Sequence, residues 1–168
     1  IYLVESPEDV KTLNVINPEA LRFVTQTTLS KDDTAVVIDT LRQTYPHIQG
    51  PLKDDICYAT QNRQDAVKQL VETCDLILIV GSKTSSNSNR LCEIAKNKNL
   101  AGYLIDSADD IDPAWLENKK HIGLSAGASA PELLVQNVIE FLKQHGATSV
   151  SSLGSREDVV FSMPKALR

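Results

Sequence analysis

The chain has 168 residues, a formal net charge of −5 and an apolar fraction of 42%. These values fit one globular domain or slightly more, with a core that buries roughly 70% of the unfolded surface. The acidic balance excludes a nucleic-acid partner held mainly by a basic surface. No apolar run approaches the ~20 residues that span a bilayer, so we expect no membrane partner.

The chain begins without an initiator methionine, on the apolar, strand-like residues 1–4. We read no signal peptide or transit segment in it. These features predict a piece of a longer protein whose natural start lies upstream. An omitted leader is the alternative.

Three cysteines, Cys57, Cys74 and Cys92, occur without any C-x-x-C spacing. This excludes a zinc ribbon and disfavours a disulfide scaffold. Free thiols indicate a reducing compartment: the cytoplasm, or a plastid if the source is a photosynthetic eukaryote. We expect Cys74 and Cys92 to be small buried hydrophobic residues. Cys57 lies just ahead of a predicted helix, whose N-terminus stabilises a thiolate, so it is the candidate metal ligand or reactive thiol.

Strand and helix patterns alternate along the chain, which predicts an α/β fold with mainly parallel sheets flanked by helices. Capping patterns open helices at Ser6 and Ser30, and Gly146 is placed as a C-terminal cap. The second helix has an apolar face of Val36, Val37, Ile38 and Leu41. The predicted order is a helix from Ser6, a strand at 22–25, helices from Ser30 to before Tyr45 and over 62–73, a strand at 76–80, a helix around Leu91, a strand at 103–105, a helical piece near 113–115, a strand at 122–124, a helix over 132–144 and a strand at 159–161.

Three loops of small polar residues lie where predicted strands end and helices begin, at residues 25–28, 81–87 and 125–129. In open α/β sheets this edge binds ligands. Between Ser82 and Asn89, seven of eight residues are Ser, Thr or Asn. One helix cap needs only one such residue, so this loop predicts a phosphate or diphosphate site at a helix N-terminus.

Two formal motif matches are set aside. The GSKT sequence at 81–84 lacks the spacing of a P-loop, since no glycine lies at the required upstream position. The GLSAG sequence at 123–127 matches a hydrolase nucleophile elbow, but no suitable acid and histidine follow it. Neither a P-loop nor a serine hydrolase is therefore expected.

Four segments then occur in a fixed order: TQTTLS at 25–30, DDICYAT at 54–60, GSKTSSNSNR at 81–90 and AGASAP at 126–131. Along essentially the whole chain they resemble the carboxy-terminal half of the LytB family, the hydroxymethylbutenyl diphosphate reductases. The resemblance implies reductive removal of an allylic hydroxyl, the last step of the non-mevalonate isoprenoid route. It also implies a [4Fe-4S] cluster held by three cysteines and a ferredoxin- or flavodoxin-type electron donor.

The resemblance also implies roles for individual residues. Cys57 would be the third cluster ligand. Thr27 would be the catalytic residue beside the substrate hydroxyl, with Gln26 in its network. The residues that would bind the diphosphate are Ser85, Ser86, Asn87 and Ser129.

The family's other cluster cysteines, its substrate-binding histidines and its acidic proton donor belong to an amino-terminal half that is missing here. We therefore expect part of a three-unit α/β arrangement around a central site. Residues 1–53 would be part of one unit, 54–147 a complete unit with Cys57 and the diphosphate loops, and 148–168 a closing segment on a missing unit. The isolated chain would be inactive. The alternatives are a stand-alone phosphate-binding α/β module without redox activity and a truncated, non-functional product.

Overall fold

From α3 onward, helices and strands alternate in the computed structural model, which describes residues 1–52, 55–153 and 163–164. Short 3-10 turns lie at Pro18–Ala20, Ala108–Asp110 and Pro113–Leu116. The last of these confirms the predicted helical piece. The main elements are α1 (Pro7–Thr12), α2 (Lys31–Thr44), α3 (Tyr58–Leu70), β1 (Leu76–Val80), α4 (Ser86–Asn97), β2 (Gly102–Ile105), β3 (Ile122–Ala126) and α5 (Glu132–Gln144).

The three strands form a parallel sheet with β1 at its centre, in the order β2-β1-β3. Leu78 lies opposite Tyr103 on one side and Leu124 on the other. All five residues of β1 are buried. A continuous apolar run suits this position because a central parallel strand is covered on both faces. The predicted α/β class with a parallel sheet is confirmed.

Side chains from β1 enter two separate cores. Leu78 packs in one cluster with Val138 of α5. Ile79 packs in the other with Val67 of α3 and Leu91 of α4. Helices α4 and α5 therefore cover opposite faces of the sheet, so the chain leaves β1 toward one face and β3 toward the other. Such a switch point opens a crevice at the carboxyl ends of the strands, where ligands bind in α/β sheets.

A carboxylate fixes the register at the opposite end of β1 and β3. The Asp75 Oδ2 atom accepts backbone N–H groups from Lys120 at 2.8 Å and His121 at 2.9 Å. These donors, His121 first and then Lys120, lower the pKa of Asp75. The Asp75 N–H donates in turn to the carbonyl of His121 at 2.8 Å. This lock supports the register that brings Val80 beside Ala126.

The strand predicted at residues 22–25 is wrong. A single parallel bridge joins Arg22 to Gln49, with the Phe23 N–H donating to the Gln49 carbonyl at 2.9 Å. The next bond of a parallel ladder would need an N–H from Pro51, which has none. The opening residues 1–4 are not a strand either. Ile1 and Leu3 are exposed, and no described strand pairs with them.

Two helix predictions also need correction. Helix α3 covers Tyr58–Leu70 instead of 62–73, because Cys57 is its N-cap and Thr60 faces inward in its first turn. Residues 71–73 form a turn. On α2, Leu41 is buried, but Val36 is 56% exposed instead of facing inward.

The carboxyl-terminal end of α5 has the glycine cap that the sequence predicts. Gly146 has a φ of +102°, and its N–H donates to the Lys143 carbonyl at 3.1 Å, as a helix cap requires. The strand predicted at 159–161 lies outside the described residues. Within the described ranges, no helix is long and apolar enough to cross a bilayer.

Removing one methyl group from the sheet core should lower stability measurably. Ile79 is fully buried, so Ile79→Val should reduce the free energy of unfolding by about 1 kcal/mol. Ile16 is 93% exposed, and Ile16→Val is the matched control with almost no expected effect. Urea titration measures both. Equal losses in the two variants would contradict the position assigned to β1.

Candidate functional site

Two loops meet at the crevice because their strands are neighbours. Residues 81–85 leave β1 and lead into α4, while residues 127–131 leave β3 and lead into α5. The Gly127 N–H donates to the Val80 carbonyl at 2.8 Å, and the Gly81 N–H donates to Ile105 at 2.9 Å. The strand pairing thus continues one residue into each loop and fixes where the loops start.

The loop before α4 is held by its own side chains. Ser85 is the N-cap, and its Oγ atom accepts the Ser88 N–H at 3.3 Å and the Ser88 hydroxyl at 3.0 Å. The Asn89 amide donates to the carbonyls of Lys83 at 2.8 Å and Ser85 at 2.9 Å. The Ser82 and Thr84 hydroxyls lie 2.9 Å apart. The polar run therefore forms an ordered turn rather than a simple cap.

Asn87 is the least satisfied polar group at this helix end. The residue is only 5% exposed, and neither its amide nitrogen nor its amide oxygen has a hydrogen-bond partner among the described residues. An unpaired buried polar group costs about 1–3 kcal/mol, which a ligand can recover. The start of α4 also carries the positive end of the helix dipole. An anion that accepts from the Asn87 amide fits both properties.

The third polar loop connects Cys57 with the start of α4. The Cys57 N–H donates to the Thr27 carbonyl at 3.1 Å. Next along the chain, the Thr28 hydroxyl donates to the Ser86 hydroxyl at 3.3 Å. These two contacts bring the predicted cluster ligand, the predicted catalytic threonine and a predicted diphosphate-binding serine into one continuous region.

Two predicted site residues lie at the rim of this region. Gln26 and Ser129 are both exposed, next to Thr27 and two residues after Gly127 respectively. Among the described side-chain contacts, none joins either residue directly to Cys57 or Ser86. Both residues lie in loops that border the site, outside the contacts that connect Cys57 with Ser86.

Two residues of α3 that the sequence did not single out hold the loops in place. Gln64 is 2% exposed, and its amide nitrogen donates to the Leu29 carbonyl at 2.9 Å. Arg63 donates to the Ala126 carbonyl at 3.0 Å, at the end of β3. A signal existed for Gln64, since it lies between Thr60 and Val67 on the buried face of the helix.

The three thiols differ in environment, and Cys74, which the sequence predicts to be buried, is only half-buried. Cys57 is exposed at the N-cap of α3, and its side chain makes no cap hydrogen bond. Cys92 is buried, and loss of solvation raises its pKa to about 11. Among the described residues, no three His, Cys, Asp or Glu side chains gather to hold a metal ion. One thiolate does not hold an iron–sulfur cubane, so the described residues do not form a complete cluster site.

The cysteines should react with a thiol reagent at different rates. With Ellman's reagent at pH 8, Cys57 should react first because it is exposed. Cys92 should react only after unfolding, since it is buried and about one in a thousand of its thiols is ionised at that pH. Cys57→Ser should remove the fast phase. A fast phase that persists in this variant would contradict the assignment.

Comparison with known proteins gives a consistent picture. A family model described as "LytB protein" matches residues 1–143. Proteins named 4-hydroxy-3-methylbut-2-enyl diphosphate reductase from Xylella fastidiosa (strain M23) and Pseudomonas syringae pv. syringae (strain B728a) are each 60% identical, over 100% of this chain and 54% of their own length. The solved structure of the E-1-hydroxy-2-methyl-but-2-enyl-4-diphosphate reductase from Plasmodium falciparum superimposes with a TM-score of 0.88 at 36% identity, over 99% of this chain and 53% of that one.

The chain thus spans about half the length of the relatives that it matches. The match to the family model spans the positions of all four ordered motifs, the last of which ends at residue 131. The agreement extends from sequence to three-dimensional structure. The chain belongs to the LytB protein family.

Proposed function

We propose that the chain is the carboxy-terminal part of a reductase that converts hydroxymethylbutenyl diphosphate to isopentenyl and dimethylallyl diphosphate. The observation that carries this proposal is the contact path from the Cys57 N–H to the Thr27 carbonyl and from the Thr28 hydroxyl to Ser86. The path supports the proposal because it connects the N-cap of α3, where a thiolate is stabilised, with the N-terminus of α4, which favours an anion. The names of the relatives support the same reaction.

In this proposal the diphosphate binds at the start of α4. Asn87 supplies a buried amide that has no partner in the part of the chain that the structure describes, and Ser85 and Ser86 supply hydroxyls on the same helix end. Ser129 approaches from the loop after β3. Neutral hydroxyl, amide and backbone donors at a helix N-terminus bind phosphate oxygens without needing a lysine or arginine.

The hydroxyl end of the substrate lies toward Thr27, with Gln26 beside it. The overall reaction breaks the allylic carbon–oxygen bond, takes up two electrons and two protons, and releases water. A [4Fe-4S] cluster supplies reducing equivalents when bound, and Cys57 is proposed as one of its ligands. The remaining ligands would come from the part of the longer relatives that this chain lacks. The electron donor would be of the ferredoxin or flavodoxin type, in the cytoplasm or another reducing compartment.

A stand-alone phosphate-binding module is the second candidate. The specific observation in its favour is that the buried Asn87 amide and the α4 N-terminus lie within this chain. Such a module would bind an anion without any redox chemistry. The two candidates differ in whether Cys57 matters for activity.

The redox proposal predicts no turnover by the 168-residue chain alone, even after anaerobic iron–sulfur reconstitution and with reduced methyl viologen as electron donor. Fusion to the amino-terminal part of the Xylella fastidiosa relative should restore turnover. Cys57→Ser in the fusion should then lower the rate by more than about 100-fold, since disturbing even outer-shell groups of metal sites costs roughly 10–100-fold. Cys74→Ser is the control. Turnover by the isolated chain, or full activity of the fused Cys57→Ser variant, would contradict the proposal.

The anion site predicts that the chain binds pyrophosphate. Asn87→Ala should weaken binding roughly 10- to 100-fold, because hydrogen bonds to charged groups contribute about 1.5–3 kcal/mol. Asn97→Ala, at the exposed far end of the same helix, is the matched control with unchanged affinity. Isothermal titration calorimetry measures both. Pyrophosphate binding combined with an inactive fusion would favour the stand-alone module.

A further inference from the structure

Ser88 lies in the first turn of α4, yet it is directed into the protein. The residue is 1% exposed. Both of its donors are aimed at one atom, since its N–H and its hydroxyl donate to the Ser85 Oγ atom at 3.3 Å and 3.0 Å. The reaction proposed above makes no direct use of this residue.

These two bonds determine whether the Ser85 hydroxyl donates a hydrogen bond to a ligand or accepts one from it. A serine hydroxyl has two acceptor lone pairs and one donor hydrogen. Ser88 occupies both lone pairs of Ser85, so only the hydrogen of Ser85 remains for another partner. Ser85 is therefore a donor at the helix end, which is the polarity that an anion requires.

Asn89 likewise occupies hydrogen-bond acceptors of the loop, in this case on the backbone. Its amide nitrogen donates to the carbonyl oxygens of Lys83 and Ser85 at 2.8 Å and 2.9 Å. Two acceptors that would repel a phosphate are thus occupied within the protein. The loop presents donors outward because its own side chains occupy its acceptors.

Ser88 also sets the separation of the two loops at the crevice. A Cβ atom added to Gly81 or to Gly127 would collide with the Ser88 Oγ atom. The two positions differ in how close the added Cβ atom would come to the Ser88 Cβ atom. That distance would be 2.8 Å at Gly81 and 3.6 Å at Gly127. The loops after β1 and β3 therefore close on Ser88, and a side chain at either glycine would have to displace the Ser88 hydroxyl.

We propose that Ser88 is the positioning residue of the diphosphate site. It holds Ser85 as a hydrogen-bond donor and fixes the spacing between the α4 loop and the loop that carries Ser129. The inference rests on the proposed function, because the ligand is taken to be a diphosphate. It deepens that proposal by assigning the anion preference of the site to a residue that does not touch the ligand.

Calorimetry with pyrophosphate on the 168-residue chain tests the donor role. Ser88→Ala should weaken binding roughly 3- to 10-fold, the effect of losing one neutral hydrogen bond. Cys92→Ala is the structural control, one helical turn further along the buried face of α4. It should lower the thermal midpoint of unfolding without changing the affinity. A role for Ser88 in packing alone would give the two variants the same pattern.

The glycines test the spacing role, with the thermal midpoint as a readout that needs no ligand. Gly127→Ala should lower both the midpoint and the pyrophosphate affinity. Adding Ser88→Ala should recover most of the midpoint, because only the Ser88 Oγ atom obstructs the new methyl group. Gly81→Ala should not be rescued by Ser88→Ala, because the Ser88 Cβ atom would still lie too close.

The outcomes separate the inference from the proposed function. If the wild-type chain binds pyrophosphate and Ser88→Ala binds equally well, the inference is wrong and the diphosphate site stands. If Ser88→Ala rescues both glycine variants or neither, the spacing role is wrong. Failure of the wild-type chain to bind pyrophosphate would overturn the diphosphate site and the inference with it.

Discussion

The burial of β1 between two parallel strands is the constraint on which the site depends. Because β1 is apolar at every position, it takes the centre of the sheet, with helices on both faces. The pairing with β3 brings Val80 beside Ala126, so the loops after both strands begin side by side. The helices that follow cover opposite faces, and the crevice between the loops is the result.

Helix α3 ties this crevice to the residue proposed to bind the cluster. Its N-cap, Cys57, donates to Thr27, and two side chains further along it reach Leu29 and Ala126. One rigid element therefore holds the first polar loop and the end of β3. Movement of α3 would change the position of the thiol relative to the anion site, which is the geometry that the proposed reaction must preserve.

The sequence predicts the elements whose signals are local. The apolar run of β1, the cap of α5 at Gly146 and the polar run before α4 all have the expected structure. The residues at 22–25 alone could not show that no strand forms there. The pairing ends because of Pro51, which lies in a different segment of the chain. The bond from Arg63 to Ala126 and the approach of Gly81 and Gly127 to Ser88 join different elements, for which periodicity and capping rules give no signal.

The central claim is that the loops after β1 and β3 together bind one diphosphate. Amide NMR spectra of the chain titrated with pyrophosphate test it most directly, because each backbone N–H reports its own surroundings. The account predicts shift changes at Ser86, Asn87 and Gly127, with none at Asn99 or Lys120 at the opposite edge of the sheet. Changes confined to that opposite edge, or a response of only one of the two loops, would contradict it.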